Sequence, residues 1–453
     1  MTDMVKNELI KTKIPWTPYA PIGWDIKRAK FIFKSKKEIN SQMQCNDRLA
    51  LTLKGVIDRF EGDNIGLNPN DLRTYQIFQP NELVFKLLDL DNKKTSRVGF
   101  VHKKGIMSSA YIRVLENPNM NMRYFYYQYF DLYQRFIFND IGQGVRATMS
   151  SSDLLNIPIL IPPLETQNAI VNYLDRKTQQ IQEFITKKER LIELLEEQKQ
   201  SLIFNALTKG IGKVNLEPIK DSWLQEKPIN WKVHKGKSMF KIIGGYAPSD
   251  LKILKESEYN LPNSISYYKV NDLNNVDGFL LNPSSWRVNS NKLRTTEKGT
   301  ILLPKRGAAI MTNKVTQCSD SCVFDSNIMG IKVENSIVHT DYICLWLKTR
   351  NLIELADVTT IPQLNNKHIY PLFISLPDLD EQNTILDYIK EKTSHLGQSI
   401  SIAKAEIEKT KEYQESLITQ VVSGQLKVPE KTYSNVHYRE FDMVAEQGSS
   451  YHT

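Results

Sequence analysis

Apolar residues recur every seven positions in two long stretches of this chain. In the first, Val171, Ile185, Ile192 and Ala206 form one row, and Leu174, Ile181, Leu195 and Leu202 form the other. In the second, the rows are Leu386, Ile400, Ile407 and Val421, then Ile389, Leu396, Ala403 and Leu417. Two apolar rows at this spacing are the a and d positions of a coiled-coil seam. Polar residues interrupt it at Thr178, Lys188 and Lys199, and at Thr393, Thr410 and Gln414. A proline precedes each stretch (Pro163, Pro377), none lies inside, and strong helix formers fill both. Each is therefore predicted as one long helix.

The two stretches are copies. A constant shift of 215 residues aligns Pro162–Ile203 with Pro377–Ile418 without a gap, keeping Gln167/Gln382, Asn168/Asn383, Tyr173/Tyr388 and Thr178/Thr393 identical among others. A repeat near half the chain length signals duplication. Two amphipathic helices on separate cores would also explain the pattern; packing on each other explains the shared seam. A helix of about 42 residues is about 63 Å long, whereas a compact domain between the copies has a diameter near ~40 Å. Antiparallel helices bring the ends of that domain together. The expectation is an antiparallel pair with one domain at each end, related by a pseudo-two-fold axis.

The duplication extends into the intervening segments. A shift of 207 pairs Pro21/Pro228, Ile22/Ile229, Trp24/Trp231 and Phe33/Phe240. Residues 1–13 are polar and expected to be loose. In each domain an apolar run reads as a buried strand, Glu82–Leu90 and Gly299–Gly307, followed by a basic loop. A helix candidate comes next, Tyr124–Phe130 and Tyr342–Leu347, and a polar segment with a closing strand ends the domain, Thr148–Ile161 and Gln363–Leu376. Strands and helices without regular βαβ alternation predict α+β domains. Between these landmarks the two domains differ. The residues after Gly424 show no period and are expected to be peripheral or disordered.

Charge sharpens this division. Residues 1–160 carry 23 Lys+Arg against 16 Asp+Glu, and residues 211–370 carry 21 against 15. Residues 161–210 carry 7 against 7, and residues 371–453 carry 8 against 13. Lysine that merely keeps a surface soluble explains either basic segment alone. Two basic segments on a neutral-to-acidic frame predict two contacts with one polyanion. At 453 residues, 41% hydrophobic and 24% charged, the chain has room for two or three ordinary domains. It shows no signal-peptide pattern and no apolar run of membrane-spanning length. Cys45, Cys318, Cys322 and Cys344 form no disulfide framework, which suits a reducing cytosol. Cys318 and Cys322 are half of a possible zinc site, but His339 and Cys344 do not supply the usual second pair.

Catalytic motifs are not found. Gly210 and Gly212-Lys213 lack phosphate-loop spacing, and no G-x-G-x-x-G follows a strand. Asn68-Pro69-Asn70 and Asn117-Pro118-Asn119 do not match the signature of amino-methyltransferases. Pro377-Asp378 invites a nuclease reading, but its twin Pro162-Pro163 lacks the acid, so a helix start explains it better. The sequence argues for recognition and scaffolding rather than chemistry.

The helix starts at Pro163–Asn168 and Leu379–Asn383, the junction Leu207-Thr208-Lys209-Gly210-Ile211 with Lys220-Asp221-Ser222-Trp223, and the Pro21-x-x-Trp24 and Pro228-x-x-Trp231 turns carry a resemblance. Together they are similar to the specificity (S) subunit of type I DNA restriction-modification enzymes, over about residues 14–428. Thr166 departs from the Glu usual before Gln, as in Glu381. The resemblance implies a first target-recognition domain at 1–161, a helical spacer at 162–212, a second recognition domain at 213–376, a second spacer at 377–428 and a tail at 429–453. It implies a cytoplasmic, non-catalytic subunit that binds double-stranded DNA, with two methyltransferase subunits and two restriction-translocation subunits as partners. S-adenosylmethionine, ATP and Mg would belong to those partners, with no cofactor or metal in this chain.

Two different lobes predict a split, asymmetric DNA target whose unread gap is set by helix length. Candidate DNA-contacting residues are Lys93, Lys94, Arg97, Lys103, Lys104 and Arg146 in the first domain, and Lys305, Arg306 and Lys314 in the second. A coiled-coil adaptor with protein-binding lobes is the first alternative; a fused enzyme with a diverged site is the second.

Overall fold

A computed structural model describes residues 8–60, 71–92, 94–144, 147–221, 223–291, 293–334, 336–357 and 361–428. The two heptad stretches are helices, Leu164–Lys209 and Leu379–Val422. At 46 and 44 residues they measure about 69 and 66 Å. Each begins on the proline side as the sequence implies. Asp378 caps the second, its Oδ1 accepting from the Glu381 amide at 2.9 Å. That is the role of the acid in Pro377-Asp378. Each helix is followed by a glycine with positive φ, Gly210 at +77° and Gly424 at +70°, the left-handed conformation that ends helices.

Two compact units divide the chain: residues 1–187 with 406–453, and residues 188–405. The first unit therefore holds the start of the first long helix and the end of the second. Its aromatic helix, Met122–Gln134, fixes their directions. Asn121 meets Gln167 and Tyr127 meets Asp175, so the first long helix runs alongside. Tyr124 meets Val422 and Asp131 meets Thr419, so the second runs the opposite way. Ile170, Val171, Leu174, Leu417, Ile418 and Val421 join the aromatic helix in one core. The second unit holds the complementary pieces. There Ile203, Ala206 and Leu207 share a core with Ile385, Ile389 and the helix Thr340–Thr349. Gly210 lies beside Glu381, so the end of one long helix meets the start of the other. The α+β class with two long antiparallel coiled-coil helices holds.

Every side chain assigned to the seam rows is buried or half-buried: Val171, Leu174, Ile181, Ile185, Ile192, Leu195 and Leu202 on the first helix, and Leu386, Ile389, Leu396, Ile400, Ile407, Leu417 and Val421 on the second. The seam absorbs its threonines locally. Thr178 and Thr410 donate their hydroxyls to the carbonyls four residues back, Leu174 at 2.8 Å and Glu406 at 2.7 Å.

The units repeat one frame. In the first, the strands Ile112–Val114, Leu83–Phe85 and Val98–Phe100 form an antiparallel sheet that leads into the aromatic helix. In the second, Ile328–Val333, Ile301–Pro304 and Thr316–Gln317 do the same inside a six-stranded sheet and lead into Thr340–Thr349. A short ribbon returns the chain to each long helix: Asp25–Arg28 with Pro158–Ile161, and Lys232–Lys235 with Phe373–Leu376. Gln167 and Gln382 tie the frame down from the long helices. Each donates to a proline carbonyl (Pro162 at 2.8 Å, Pro377 at 3.0 Å), and each accepts the backbone N–H preceding the packed helix, from Asn121 and His339, at 2.9 Å. Tyr124 and Tyr342 donate to the last-turn carbonyls of Val422 and Leu207. Trp231 is buried and Trp24 half-buried against their cores, as core anchors.

The rest diverges. The first unit adds a four-stranded sheet ordered Gly55–Arg59, Arg48–Thr52, Gly105–Met107, Gln76–Phe78. The second adds Arg287–Asn289, Ser264–Tyr268 and Cys322–Phe324 as a three-stranded sheet. One expectation is corrected at the N-terminus. Leu9–Ile14 is not loose but pairs with Thr17–Pro21 as a hairpin. Only Ile14 of that strand is buried, so main-chain pairing rather than an apolar face holds it, which is why its pattern gave no signal. The tail from residue 429 lies outside the described residues.

Candidate nucleic-acid interface

In each unit the loop between two core strands is tied to a short hairpin upstream of the closing strand. In the first unit the Leu90 amide donates to Ala147 O at 3.0 Å and the Met149 amide to Leu87 O at 2.9 Å. Gln143 and Thr148 close the hairpin by exchanging both backbone hydrogen bonds. In the second unit Gly307 donates to Pro362 O at 3.0 Å and Leu364 to Lys305 O at 2.9 Å, while Asp357 and Gln363 close the hairpin. The sequence marks the basic loops and the closing segments separately. It does not mark that they meet. The signal available was the constant 215-residue shift, which carries Ala147 to Pro362 and Met149 to Leu364.

The two loops use their charges differently. Arg97 is not on the surface, contrary to its reading as a loop cation. Its guanidinium is buried and donates to four carbonyls of the same loop: Leu88 at 3.4 Å, Asp89 at 2.7 Å, Leu90 at 3.3 Å, and Asn92. Burial lowers its pKa, with Tyr133, Asp89 and Asp91 opposing. Arg97 therefore organises the loop from within. Lys86, beside it, reaches Thr95 Oγ1 at 3.1 Å, and burial and the Arg97 charge push its pKa down. Lys94 stands exposed at the loop. Lys93 and Arg146 lie outside the described residues. Lys103 is away from this loop and pairs with Asp58 at 2.7 Å. Burial works to raise the Asp58 carboxyl, but Lys103 and His102 outweigh it and hold it below the usual range. Lys104, next to it, is exposed.

The second loop contains no carboxylate. Its backbone forms a short turn, Ala308–Thr312, ended by Asn313 in the left-handed region at φ +48°. The Asn313 side chain is fixed in turn, accepting from the Leu352 amide at 3.0 Å. Arg306 is exposed, and Lys305 and Lys314 are half-buried. Met311, which the sequence reading passed over, projects from the turn at 65% exposure. Cations with an exposed apolar side chain on a fixed backbone can meet phosphates and a base methyl together.

Among the described residues no group of three or more His, Cys, Asp or Glu is placed to hold a metal ion. Cys318 and Cys322 are buried with their sulfurs 3.1 Å apart. No described helix is long and apolar enough to cross a membrane.

Comparison with known proteins places this geometry. The family profile described as type I restriction modification DNA specificity domain matches residues 87–196 and 228–409. A curated relative from Haemophilus influenzae, described as a type I restriction enzyme specificity subunit, is 25% identical over 280 residues, covering 60% of this chain and 66% of its own length. The chain thus spans just under two thirds of that relative. A chain from a structure of complex assembly and conformational transition of the type I R-M system superposes with a TM-score of 0.70 at 14% identity, over 90% of this chain and 99% of the other. The HsdS subunit from Thermoanaerobacter tengcongensis superposes at 0.51, with 14% identity over 90% and 98%. These two show a shared fold.

Proposed function

Since the chain belongs to the family of type I restriction modification DNA specificity domains, we propose that each of its units reads one half of a split, asymmetric DNA target. The observation that carries this reading is one frame with two unlike loops. A duplicated frame presents its loop and hairpin to equivalent places on a pseudo-symmetric ligand, and duplex DNA is such a ligand. Loops that differ in charge and sequence read different bases. Phosphate contacts from Lys94, Arg306 and neighbouring cations supply affinity, and a few side chains at base edges supply the choice.

The chain itself carries no catalysis in this reading. It scaffolds two methyltransferase subunits, joined by two restriction-translocation subunits in the full complex, in the cytoplasm. S-adenosylmethionine, ATP and Mg act in those partners. Exposed apolar side chains on the long helices support a scaffolding role: Leu191 at 41%, Leu194 at 46% and Ile402 at 61% exposure are large residues that a packed neighbour would cover.

Sequencing of methylated sites in cells expressing the chain with its partners tests the proposal. The expected result is a bipartite adenine motif with unequal halves and an unread gap. A continuous palindrome contradicts it, and binding without sequence preference favours a protein-binding adaptor instead.

A further inference from the structure

The second unit has a cationic cleft that the paired loops do not include. Strands Phe240–Gly244 and Ile328–Val333 run antiparallel with Lys241 directly opposite Lys332. Like charges facing across adjacent strands repel. Glu297 answers one of them, bonding Lys332 at 2.8 Å. These residues, with Lys237, Arg294 and Glu334, line a cleft of about 410 Å³. Among the described residues four cations therefore stand against two carboxylates, and Lys237, Lys241, Arg294 and Lys332 are all exposed.

The lining is suited to an anion. Among the described residues it includes no Asn or Gln. The hydroxyls of Ser238 and Thr296 are engaged within the protein, with Lys235 O at 2.8 Å and Thr300 at 2.6 Å. Its floor is firm, because Met239 and Phe240 belong to the unit's core. The cleft also sits at a useful distance from the loop. Lys305 donates its amide to Asn327 at 2.7 Å, just before the strand Ile328–Val333, and Lys332 is five residues further along the chain, about 16 Å away at ~3.3 Å per residue. That spacing is on the order of a DNA groove width.

We propose that this cleft holds the sugar-phosphate backbone of the bound duplex as a sequence-independent anchor, so that the loop is presented to bases in a fixed register. The assignment rests on the DNA-recognition reading above. Its test is the salt dependence of binding by the full-length chain, measured by fluorescence anisotropy on a duplex bearing the methylated motif and on a random duplex. The variant Lys241→Gln with Arg294→Gln removes two contacts. The slope of log affinity against log salt is expected to shrink by about 1.8, at ~0.9 per phosphate contact. The affinity gap between wild type and variant then narrows about tenfold between roughly 50 and 200 mM salt, equally for both duplexes. The charge-keeping variant Lys241→Arg with Arg294→Lys should retain the wild-type slope, which separates charge from any effect on folding.

An unchanged slope overturns the anchor. So does a loss confined to the motif-bearing duplex, since that would make the cleft a base reader. If millimolar ATP binds the wild type and not the Gln variant while the slope stays put, the cleft is a free-nucleotide site and the anchor also falls. A wild-type chain that binds neither duplex overturns the recognition reading itself, and the cleft's assignment with it.

Discussion

The two paired loops are built alike and behave as opposites. In the first unit the loop turns its arginine, Arg97, inward, sets Asp89 and Asp91 close enough to that guanidinium to act on it, and is held from within by it. In the second the loop has no carboxylate, keeps Arg306 outside, and is held from its end by Asn313. Yet both are tied to their hairpins by two main-chain bonds whose hairpin ends, Ala147 and Met149 against Pro362 and Leu364, are equivalent by the 215-residue shift. Amide-to-carbonyl ties do not depend on side-chain identity, so Leu90–Ala147 and Gly307–Pro362 serve equally well. The frame is maintained by groups common to every residue. The surface it carries is free to change.

That comparison can be broken most directly at the frame. Leu174 and Ile389 are equivalent by the 215-residue shift and both are buried. Leu174→Ala and Ile389→Ala should each cost about 2–5 kcal/mol of stability, as buried large-to-small changes do. Urea unfolding of the two variants should show similar losses; a large loss for one and almost none for the other would end the claim of an equivalent frame.

Smaller effects distinguish the loops. Lys305→Ala with Arg306→Ala should leave the melting temperature near wild type while lowering the salt slope of DNA binding by up to about 1.8. Arg97→Ala should do the reverse. It leaves buried carbonyls without their donor, at about 1–3 kcal/mol, and should leave the slope unchanged. If both variants move the slope equally, the loops are not opposites.

The smallest expected difference is in pH response. Asp131 in the first unit is buried, which raises its pKa, while Thr419 and Arg135 pull it back. With Tyr124 matched to Tyr342, 218 residues on, as the tyrosines that donate to the long helices' last turns, its counterpart is Thr349, which does not titrate. A carboxyl with a raised folded pKa binds its proton more tightly in the native state. Its contribution therefore favours folding below the usual value of about 3.9 and is lost as pH rises through the folded pKa. Asp131→Asn should flatten the fall in melting temperature from about pH 4 upward. Parallel pH profiles for wild type and variant would remove Asp131 from the account.

Much of the frame was legible because it is periodic. The heptad rows, the 215-residue shift and the Pro-x-x-Trp turns are patterns along one dimension, and the buried rows follow them. Where pattern and burial part, the sequence was silent. Leu9–Ile14 is a strand with one buried residue, so no alternation announced it. Arg97 reads like Lys94 in a list of basic residues, and only the tight curl of residues 88–92 turns it inward. The sheets peculiar to each unit consist of strands of three to five residues, too short to impose a period. Of the candidate contacts, Lys94, Arg306 and Lys104 stand on the surface, and the pairing of loop with hairpin came only from three dimensions.

The sharing of the long helices has a consequence for how the molecule is made. The second unit is continuous in sequence, residues 188–405, while the first needs 406–428 to complete its core. Synthesis delivers the N-terminal piece first, then the 218 residues 188–405 of the other unit and the start of 406–428 before its partners Leu417, Ile418 and Val421 emerge, on the order of 10–45 s at ~5–20 residues per second. The half that begins the chain is thus the half that finishes last, and it waits with an apolar helix face uncovered while its neighbour can already close.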